Sequence, residues 1–404
     1  MVSVASLFSQ VLSLFPRTEF QQAVHQHQAE RYSKGFSCWD QFVAMLFCQL
    51  AQARSLREIS QGLASSLGKL RHLGIDRPPS RSTLAYANEH RPWQLYETVF
   101  GQLLSKCQAV ARGRKRFRFR NRLLSLDSTT IDLCLSLYDW ARFVKAKGAI
   151  KIHLLLDHEG YLPTYAVVTD GRCNDVRVAQ SLEFPPDAVI VVDRGYLDYR
   201  LYARWTEQGV WFVTRERSNA DYRVIKRREV PARGGIVADE IIELASKHGR
   251  ARCSHRLRRI EFHDAQTDRF LVFLTNHMGF AASTIARIYK DRWQIELFFK
   301  AIKQNLRIKT FVGTSPNAVR TQIWTALIAM LLLKYLQLRS SFGWSLSNLI
   351  ALLRWNLFSY RDLWGWLNDP FQTPPVEPLP RQLALDLGSV GQQTIGQPHP
   401  RSTP

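Results

Sequence analysis

Three acidic residues occupy positions where carboxylates can do chemistry: Asp127, Asp193 and Glu296. Asp127 closes the apolar run 123–127 and Asp193 closes the run 188–193, so both are predicted at strand ends, where side chains leave a sheet. Two-metal hydrolysis of a phosphodiester uses carboxylates from separate elements, because one ion activates the nucleophilic oxygen and the other stabilises the leaving oxygen. Magnesium suits such a site, since it is a hard cation that takes oxygen ligands. The three residues therefore predict metal-assisted chemistry on phosphodiesters.

Glu296 lies in a segment that has further polar residues at helical spacing. If the segment is one helix, three of these residues lie on the same face as Glu296, at positions −7, −4 and +7 relative to it: Tyr289, Arg292 and Lys303. Their phenolic and cationic groups could grip phosphates that flank the reacting one. The segment predicts a phosphate-binding face beside a catalytic carboxylate.

Each acidic residue also has a purely structural interpretation. Asp127 could form a turn with the residues that follow it, and Asp193 could close its strand with a local ion pair to Arg194. Glu296 and Arg292 form an i, i+4 pair, which contributes only ~0.2–0.5 kcal/mol on an exposed helix. Other acidic residues at predicted strand ends or in loops compete for the metal-binding role: Asp157, Asp170 and Asp175.

The charge balance points to a polyanionic partner. The 404 residues include 55 Lys and Arg against 34 Asp and Glu, a formal net charge of +21. Such an excess is expected where phosphate backbones are neutralised, because each contact releases condensed counterions. A membrane surface is the competing partner, but the basic residues recur in separate blocks, and no segment combines an amphipathic pattern with a purely basic face. Composition favours nucleic acid over a membrane.

Cysteine usage and hydropathy bound the compartment. The six cysteines form no C-x-x-C pair and no secretory leader precedes them, so we expect reduced thiols in a cytoplasmic protein, without a zinc site or disulfides. The apolar run around 323–333 is shorter than the ~20 residues that span a bilayer. It predicts a buried helix.

Apolar residues recur at helical spacing through residues 1–110, which predicts a helical N-terminal domain that binds DNA. One short helix should open at the capping-box pattern from Ser55 to Glu58, and a second should follow the breaker at 76–80. The pair suggests a helix-turn-helix. The residues expected to face outward from its second helix are Arg81, Ser82, Thr83, Tyr86 and Asn88.

A basic tract at 111–122 marks a boundary. It contains seven basic residues, no acidic one, and two interleaved aromatics, Phe117 and Phe119. Such a run is usually a solvated linker, but it also suits an arm that follows phosphates. The residues assigned to DNA binding here are Arg114, Lys115, Arg116 and Arg118.

Beyond this linker the periodicity changes to that of strands. Five short apolar runs, at 123–127, 149–156, 162–169, 188–193 and 210–214, are bounded by turn residues, and a crossover helix around 179–182 separates the third from the fourth. This pattern predicts a mixed α/β sheet, with a core at 123–216 and 277–366. Residues 217–276 predict a β-rich basic insertion, and the Pro-rich residues 367–404 predict a disordered tail.

The combination of motifs resembles the bacterial DDE transposases of the insertion sequence four type. The resemblance rests on Leu126-Asp127-Ser128-Thr129, on Val192-Asp193-Arg194-Gly195-Tyr196 and, most specifically, on the spacing Tyr289-x2-Arg292-x3-Glu296-x6-Lys303, the Y-R-E-K signature. It covers about residues 123–336. The resemblance implies a ribonuclease-H-like catalytic core with a β-rich insertion between Asp193 and Glu296.

By this resemblance Asp127, Asp193 and Glu296 bind two Mg²⁺ or Mn²⁺ ions per active site, and Tyr289, Arg292 and Lys303 contact terminal phosphates. It implies a bacterial, nucleoid-associated enzyme that binds terminal inverted repeats of double-stranded DNA, cuts and transfers strands, and acts as a homodimer in the synaptic complex. In some relatives an aromatic residue of the insertion holds a flipped base. No Trp lies between Thr214 and Asp291, and three residues could substitute, although none is assigned: Phe262, Phe270 and Tyr222.

Two other functions remain open at the level of sequence. A transposase-derived protein could bind DNA through the N-terminal helices and the tract 111–122 without chemistry. A metal-dependent nuclease of the same fold could cut without joining. The intact triad and the Y-R-E-K spacing favour the transposase.

Overall fold

The computed structural model describes residues 5–375 apart from 32, 34, 67, 135, 136, 145, 146, 217–219, 232, 233 and 309. Most of the predicted tail, from 376 onward, lies outside the described residues. Its first part differs from the prediction, because Leu367 is buried and residues up to Asn368 belong to a helix.

Helices form the first quarter of the chain, as predicted. They are α1 (Leu7–Leu12), α2 (Arg17–Gln26), α3 (Cys38–Ala51), α4 (Leu56–Ala64), α5 (Arg81–His90) and α6 (Gln94–Ala111). Ser55 caps α4 by accepting a hydrogen bond from the backbone N–H of Glu58, and Ser80 caps α5. Residues 65–80 separate α4 from α5, which is longer than the three or four residues of a tight helix-turn-helix.

The strands that follow belong to one ten-stranded mixed sheet. They are β1 (Leu123–Leu133), β2 (Arg142–Val144), β3 (Lys147–Asp157), β4 (Leu162–Asp170), β5 (Val189–Val191), β6 (Trp211–Arg215), β7 (Tyr222–Arg227), β8 (Ile236–Leu244), β9 (Leu257–Asp264) and β10 (Arg269–Thr275). The order along the sheet is β2-β3-β1-β5-β6-β10-β9-β8-β7, with β4 also paired to β3. All five predicted strands are present, and the predicted crossover is helix α7 (Asp175–Ser181) between β4 and β5.

The β-rich insertion continues the main sheet. β10 pairs antiparallel with β6, and β9, β8 and β7 follow in antiparallel order. Hydrogen-bonding groups at the edge of β6 are satisfied in this way, so the insertion and the α/β core share one backbone network. Helix α8 (Tyr199–Glu207) packs its apolar side against β6, and helix α9 (Lys247–Arg252) contacts α8 and β8.

The C-terminal helices return to the N-terminal ones. These are α10 (Ala282–Asp291), α11 (Trp293–Asn305), α12 (Pro316–Arg339), α13 (Leu346–Asn356) and α14 (Leu363–Asn368). α12 is apolar on all sides, and it packs against α3, α5 and α6 as well as against α13. It is long and apolar enough to span a membrane by composition, but 83% of its apolar window is buried within the protein. The predicted buried helix is thus confirmed as the centre of a helical layer.

One apolar core joins this helical layer to the sheet. It includes residues from α1 to α6, from the face of β1, β3 and β4, and from α11 to α14. The predicted boundaries at 110 and 277 mark changes of secondary structure, while the N-terminal and C-terminal helices bury their apolar faces against each other. The helical N-terminal region therefore buttresses the strand and helix that carry Asp127 and Glu296.

Candidate active site

Asp127 and Asp193 lie level with each other on neighbouring strands. β1 and β5 pair in parallel through Leu123–Ser125 and Val189–Val191, and each aspartate follows two residues beyond its paired segment. Adjacent strands are about 4.8 Å apart, so the two carboxylates share one edge of the paired region. Asp193 follows the end of β5, as predicted.

Asp127 differs from the prediction, because it does not end a strand. β1 continues to Leu133, since residues 124–133 pair antiparallel with β3, and Asp127 stands opposite Leu154. The apolar run ends at Asp127 although the backbone pairing does not. The end of the apolar run therefore did not mark the end of β1, because pairing with the long strand β3 continues beyond it.

Glu296 reaches this edge from a helix junction. The sequence predicted a single helix here, but the structure has two consecutive helices, α10 and α11. Arg292 is both the C-cap residue of α10 and the N-cap residue of α11. Tyr289 therefore lies on α10, whereas Glu296 and Lys303 lie on α11. The interruption places the Arg292 side chain at the point where both helices approach β1.

Arg292 joins two of the three carboxylates. Its guanidinium donates to Asp127 Oδ2 at 3.0 Å and to Glu296 Oε1 at 2.6 Å. The Arg292 side chain is only 13% exposed. The predicted i, i+4 pair with Glu296 thus exists, but it extends to a strand 165 residues away in the chain and is partly desolvated.

Negative charge is crowded around Asp127. The pKa of Asp127 is raised to about 6, chiefly by burial; Arg292 and the Ser128 backbone N–H oppose this rise, and the negative charges of Asp193 and Glu296 add to it. Three carboxylates with one guanidinium leave a surplus of negative charge in a protein of net charge +21. Such a cluster favours an additional cation.

Asp193 also forms a local turn, through a backbone hydrogen bond where its structural interpretation expected an ion pair with Arg194. Its Oδ1 accepts a hydrogen bond from the backbone N–H of Gly195 at 2.8 Å, capping the short 3-10 helix Arg194–Tyr196. The Thr214 hydroxyl donates to the backbone carbonyl of Asp193 at 3.2 Å. These bonds fix the position of the Asp193 backbone, and the carboxylate remains half-buried near Asp127.

Tyr289 and Lys303 flank the cluster in different ways. The Arg292 guanidinium lies 5.5 Å from the centre of the Tyr289 ring, and that ring packs on Phe273 at 5.0 Å. Burial raises the pKa of Tyr289, with Arg292 opposing it. Lys303 Nζ donates to the backbone carbonyl of Thr130 at 2.8 Å, so this ammonium group is anchored to β1, three residues beyond Asp127.

The basic tract is less uniform than its sequence suggests. Lys115 and Arg118 are exposed, whereas Arg114 donates to the backbone carbonyl of Leu338 at 2.7 Å and Arg116 pairs with Asp291. Phe117 is buried, and stacks on Phe119 at 5.2 Å in the core beneath β5 and β10. The two aromatics therefore fix the tract to the sheet.

The other candidates for DNA contact also include both exposed and buried residues. In α5 the predicted outward residues Arg81, Ser82, Thr83 and Tyr86 are exposed, but Asn88 is buried and bonds Gln41 at 2.8 Å. The prediction was wrong for Asn88, because it falls on the helix face that meets α3.

In the insertion, Phe270 is 61% exposed. Phe262 instead packs beneath Lys290 and against Phe273, and Tyr222 lies under Arg259. Phe270 is thus the most accessible of the three aromatics considered there.

The competing acidic residues are held by local partners. Asp157 pairs with Arg122 at 2.8 Å, and Asp170 accepts from the backbone N–H of Arg172. Asp175 lies nearer the cluster, since it accepts from the hydroxyl of Ser128 at 2.8 Å, but Lys151 neutralises it at 3.2 Å. The surplus of negative charge is concentrated at Asp127, Asp193 and Glu296.

A row of buried, hydrogen-bonded polar side chains lies beside the site and was not predicted from the sequence. Ser125 Oγ lies 2.7 Å from His158 Nε2, and His158 Nδ1 lies 2.7 Å from Asp291 Oδ2. Asp291 directly precedes Arg292, and Ser125 precedes Asp127 by two residues. Ser125 and Asp291 could have been noticed because each lies within two residues of a predicted site residue. His158 could not, because it is distant in sequence from both segments.

Two family models match the chain. One, described as a transposase DDE domain, matches residues 118–332, which is more than half of the chain. The chain belongs to the DDE transposase family. The other model, described as a domain of unknown function, matches residues 3–76, within the helical N-terminal region of this transposase.

Curated relatives carry the same description. The transposase is 32% identical over 308 residues to a putative transposase y4zB of Sinorhizobium fredii, covering 75% of this chain and 83% of that protein. It is 31% identical over 257 residues to a probable transposase for the insertion sequence element IS5377 of Geobacillus stearothermophilus, covering 63% and 67%. It is 25% identical over 283 residues to a putative transposase for the element IS4SA of Synechocystis, covering 68% and 76%.

A solved structure is distantly similar. The piggyBac transposase in a synaptic complex with hairpin DNA has a TM-score of 0.42 and 10% identity, covering 87% of this chain and 80% of that one. The mixed sheet with its helical N-terminal region is the ribonuclease-H-like arrangement expected of a DDE transposase.

Divalent metal ions are the general cofactors of DDE transposases, and the donor chemistry of the cluster fits them. Carboxylate oxygens are the ligands that Mg²⁺ prefers. Among residues 5–375 as described, no three acidic, His or Cys side chains stand together in ligating geometry, and at the cluster Arg292 bonds both Asp127 and Glu296. The guanidinium supplies part of the positive charge that the three carboxylates require.

Proposed function

We propose that this transposase binds the terminal inverted repeats of its own insertion sequence and catalyses metal-dependent strand cleavage and strand transfer. The observation that carries the proposal is the convergence of Asp127, Asp193 and Glu296 from two parallel strands and one helix, with surplus negative charge. Its setting is the bacterial cytoplasm, where its substrate is nucleoid DNA.

Asp127, Asp193 and Glu296 would hold the divalent ions, two Mg²⁺ or Mn²⁺ per active site. When bound, such ions activate an attacking oxygen and stabilise the leaving oxygen at a phosphodiester. The protein's own contribution is placement. Strand pairing fixes the two aspartates at one level, and Arg292 at the helix junction links Glu296 to Asp127.

Arg292, Tyr289 and Lys303 would receive the DNA end. Arg292 presents a planar guanidinium, whose geometry matches phosphate oxygens, and the Tyr289 ring beneath it limits its freedom. With the charges of Asp127 and Glu296 neutralised, the Arg292 donors would be available to a terminal phosphate. Lys303 adds positive charge near the same edge.

Exposed positive charge would extend the DNA path away from the reacting phosphate. Lys115 and Arg118 project from the anchored tract, and Arg81 projects from α5. Arg114 and Arg116 have protein partners, so any phosphate contact by them would be additional to those bonds. The synaptic complex is proposed to be a homodimer that holds two ends.

The test is cleavage of the element's own terminal DNA by the full-length protein in Mg²⁺ or Mn²⁺. Nicking at the element boundary and joined strand-transfer products are expected, and Glu296→Gln should remove both. Glu183→Gln, at an exposed glutamate outside the cluster, is the charge-matched control and should cut as the parent does. Equal cutting by Glu296→Gln would refute the assignment, cleavage without joining would indicate a nuclease, and tight binding without cleavage would indicate a DNA-binding derivative.

A further inference from the structure

The buried chain Ser125–His158–Asp291 connects the two segments that meet at the carboxylate cluster. Ser125 is fully buried on β1, on the same side of the strand as Asp127 because side chains two residues apart share a face. Asp291 is the last residue of α10 and is covalently bonded to Arg292. His158, which follows β3, bridges them with two contacts of 2.7 Å.

This order of groups resembles that of a hydrolytic triad, but its burial argues against such a role. Ser125, His158 and Asp291 are 0%, 4% and 3% exposed, so no substrate could reach the serine hydroxyl without opening the sheet. A nucleophile must approach its reacting atom to about 3–3.5 Å. The chain of hydrogen bonds can act only on the protein's own segments.

Asp291 is a buried carboxylate at a position that is energetically unfavourable for negative charge. It is an anion at the C-terminal end of a helix, where the helix dipole is unfavourable to negative charge. Burial raises the pKa of Asp291, but the bonds from His158, Arg116 and Tyr161 outweigh this effect and hold it lowered. The Tyr161 hydroxyl donates to it at 3.2 Å, and Arg116 pairs with it from the basic tract.

Two separate segments, the basic tract and the turn after β3, therefore meet on the residue before Arg292. We propose that Ser125, His158 and Asp291 form a positioning network that holds the α10–α11 junction against β1, and so sets where the Arg292 guanidinium lies relative to Asp127 and Glu296. Its role in cleavage rests on the proposed function. Its role in holding the junction does not.

The first experiment measures the junction itself by hydrogen–deuterium exchange of the full-length protein without DNA. Asp291→Asn keeps the shape of the side chain but removes its charge, and it should speed exchange about tenfold in peptides covering 289–297. Glu243→Gln is the control, because Glu243 is also a carboxylate with bonds from two arginines, Arg223 and Arg256 at 3.0 Å each, within the insertion. Unchanged exchange at 289–297 in Asp291→Asn, or the same acceleration in Glu243→Gln, would overturn the network.

The second experiment asks whether this position serves the chemistry. Removing a supporting partner of an active-site group typically costs about 10–100-fold in activity. If Asp291 acts through Arg292, then Asp291→Asn in an Arg292→Ala background should cause less than about twofold further loss, whereas independent losses would multiply. Multiplying losses would overturn the action through Arg292, even if the exchange result holds.

Ser125→Ala keeps the proposal testable if Asp291→Asn does not fold. It removes one hydroxyl from the other end of the chain and leaves no unpaired charge, so a smaller loss of about threefold in cleavage is expected. Faster exchange at 289–297 with the same sign should accompany it, and its absence would contradict the network. If the parent protein cuts no terminal DNA at all, the proposed function fails, and the exchange experiment alone then decides the network.

Discussion

Two arginine–carboxylate clusters of this transposase are built on opposite principles. In the insertion, Arg258 and Asp239 are 1% and 4% exposed and form a two-pronged ion pair, and backbone carbonyls such as that of Phe280 accept the remaining donors. At the carboxylate cluster, Arg292 is shared between Asp127 and Glu296, with Asp193 nearby and half-exposed. The first cluster pairs one carboxylate with two arginines, since Arg228 also lies 3.8 Å from Asp239, and it is closed, whereas the second carries surplus negative charge and is open.

The difference teaches how to separate a structural ion pair from a functional one. A buried pair with satisfied donors has no capacity for a further ligand, and breaking it leaves an uncompensated charge. A crowded, partly open acidic cluster is relieved by any cation that enters. The following changes should affect the two clusters in opposite ways.

The largest effect is expected on chemistry at the open cluster. Asp127→Asn should lower cleavage of terminal DNA by about 10³-fold or more, because removal of a principal catalytic group costs on this scale. Binding to the terminal DNA should stay within about threefold of the parent, since a proposed metal ligand and not a phosphate contact is lost. Parallel cleavage and gel-shift titrations at one salt concentration test this, and equal losses of binding and cleavage would contradict it.

The next effect is expected on stability at the closed cluster. Asp239→Asn should destabilise the fold by about 3–5 kcal/mol, because Arg258 is left buried without its counter-charge. The cleavage rate per folded molecule should change little. Denaturant unfolding measures the loss, and a change below about 1 kcal/mol would show that water or another acceptor replaces the carboxylate.

A smaller effect with the opposite sign is expected for the stability of Asp127→Asn. The ordinary pKa of this carboxyl is 3.8, and in the folded protein it is raised to about 6, so folding favours its protonated form. The parent should therefore lose stability relative to Asp127→Asn as the pH rises from 3.8 to about 6, and the difference should stay constant above that range. It reaches at most about 3 kcal/mol.

Metal-free unfolding at pH 4, 5, 6 and 7, compared between parent and variant, measures this difference. Addition of Mg²⁺ should stabilise the parent and not Asp127→Asn, because a bound cation removes the repulsion among the carboxylates. A difference that shrinks with rising pH would show that Arg292 outweighs burial.

The smallest effect is expected on the surface of the basic tract. Lys115→Ala should weaken DNA binding about equally for terminal and unrelated sequences, and reduce the slope of log affinity against log salt by about 1. Arg116→Ala should instead alter the α10–α11 junction as well, because Arg116 pairs with Asp291. Identical salt slopes for parent and Lys115→Ala would remove this residue from the DNA path.

Much of the fold followed from local patterns. The runs 188–193 and 210–214 are rich in β-branched or aromatic residues and bounded by turn residues, and both contain strands. Where prediction failed, packing decided. Asn88 has the polarity of a surface residue, yet its face of α5 meets α3, where Gln41 satisfies its side chain. Phe117 and Phe119 lie in a basic tract, yet Phe117 is a core residue and Phe119 is partly buried against that core.

Sequence alone predicted the family, which the family model confirms, and it proposed the site residues, because the spacing from Tyr289 to Lys303 is a local property of one segment. Helical periodicity brings Arg292 and Glu296 together without reference to the rest of the chain. Only the tertiary structure decided that Asp127 and Asp193 stand level, because that depends on the register of two strands 66 residues apart. It also decided that Asp291 meets His158 and Arg116, since long-range packing in a buried site cannot be inferred from the neighbours of any of the three.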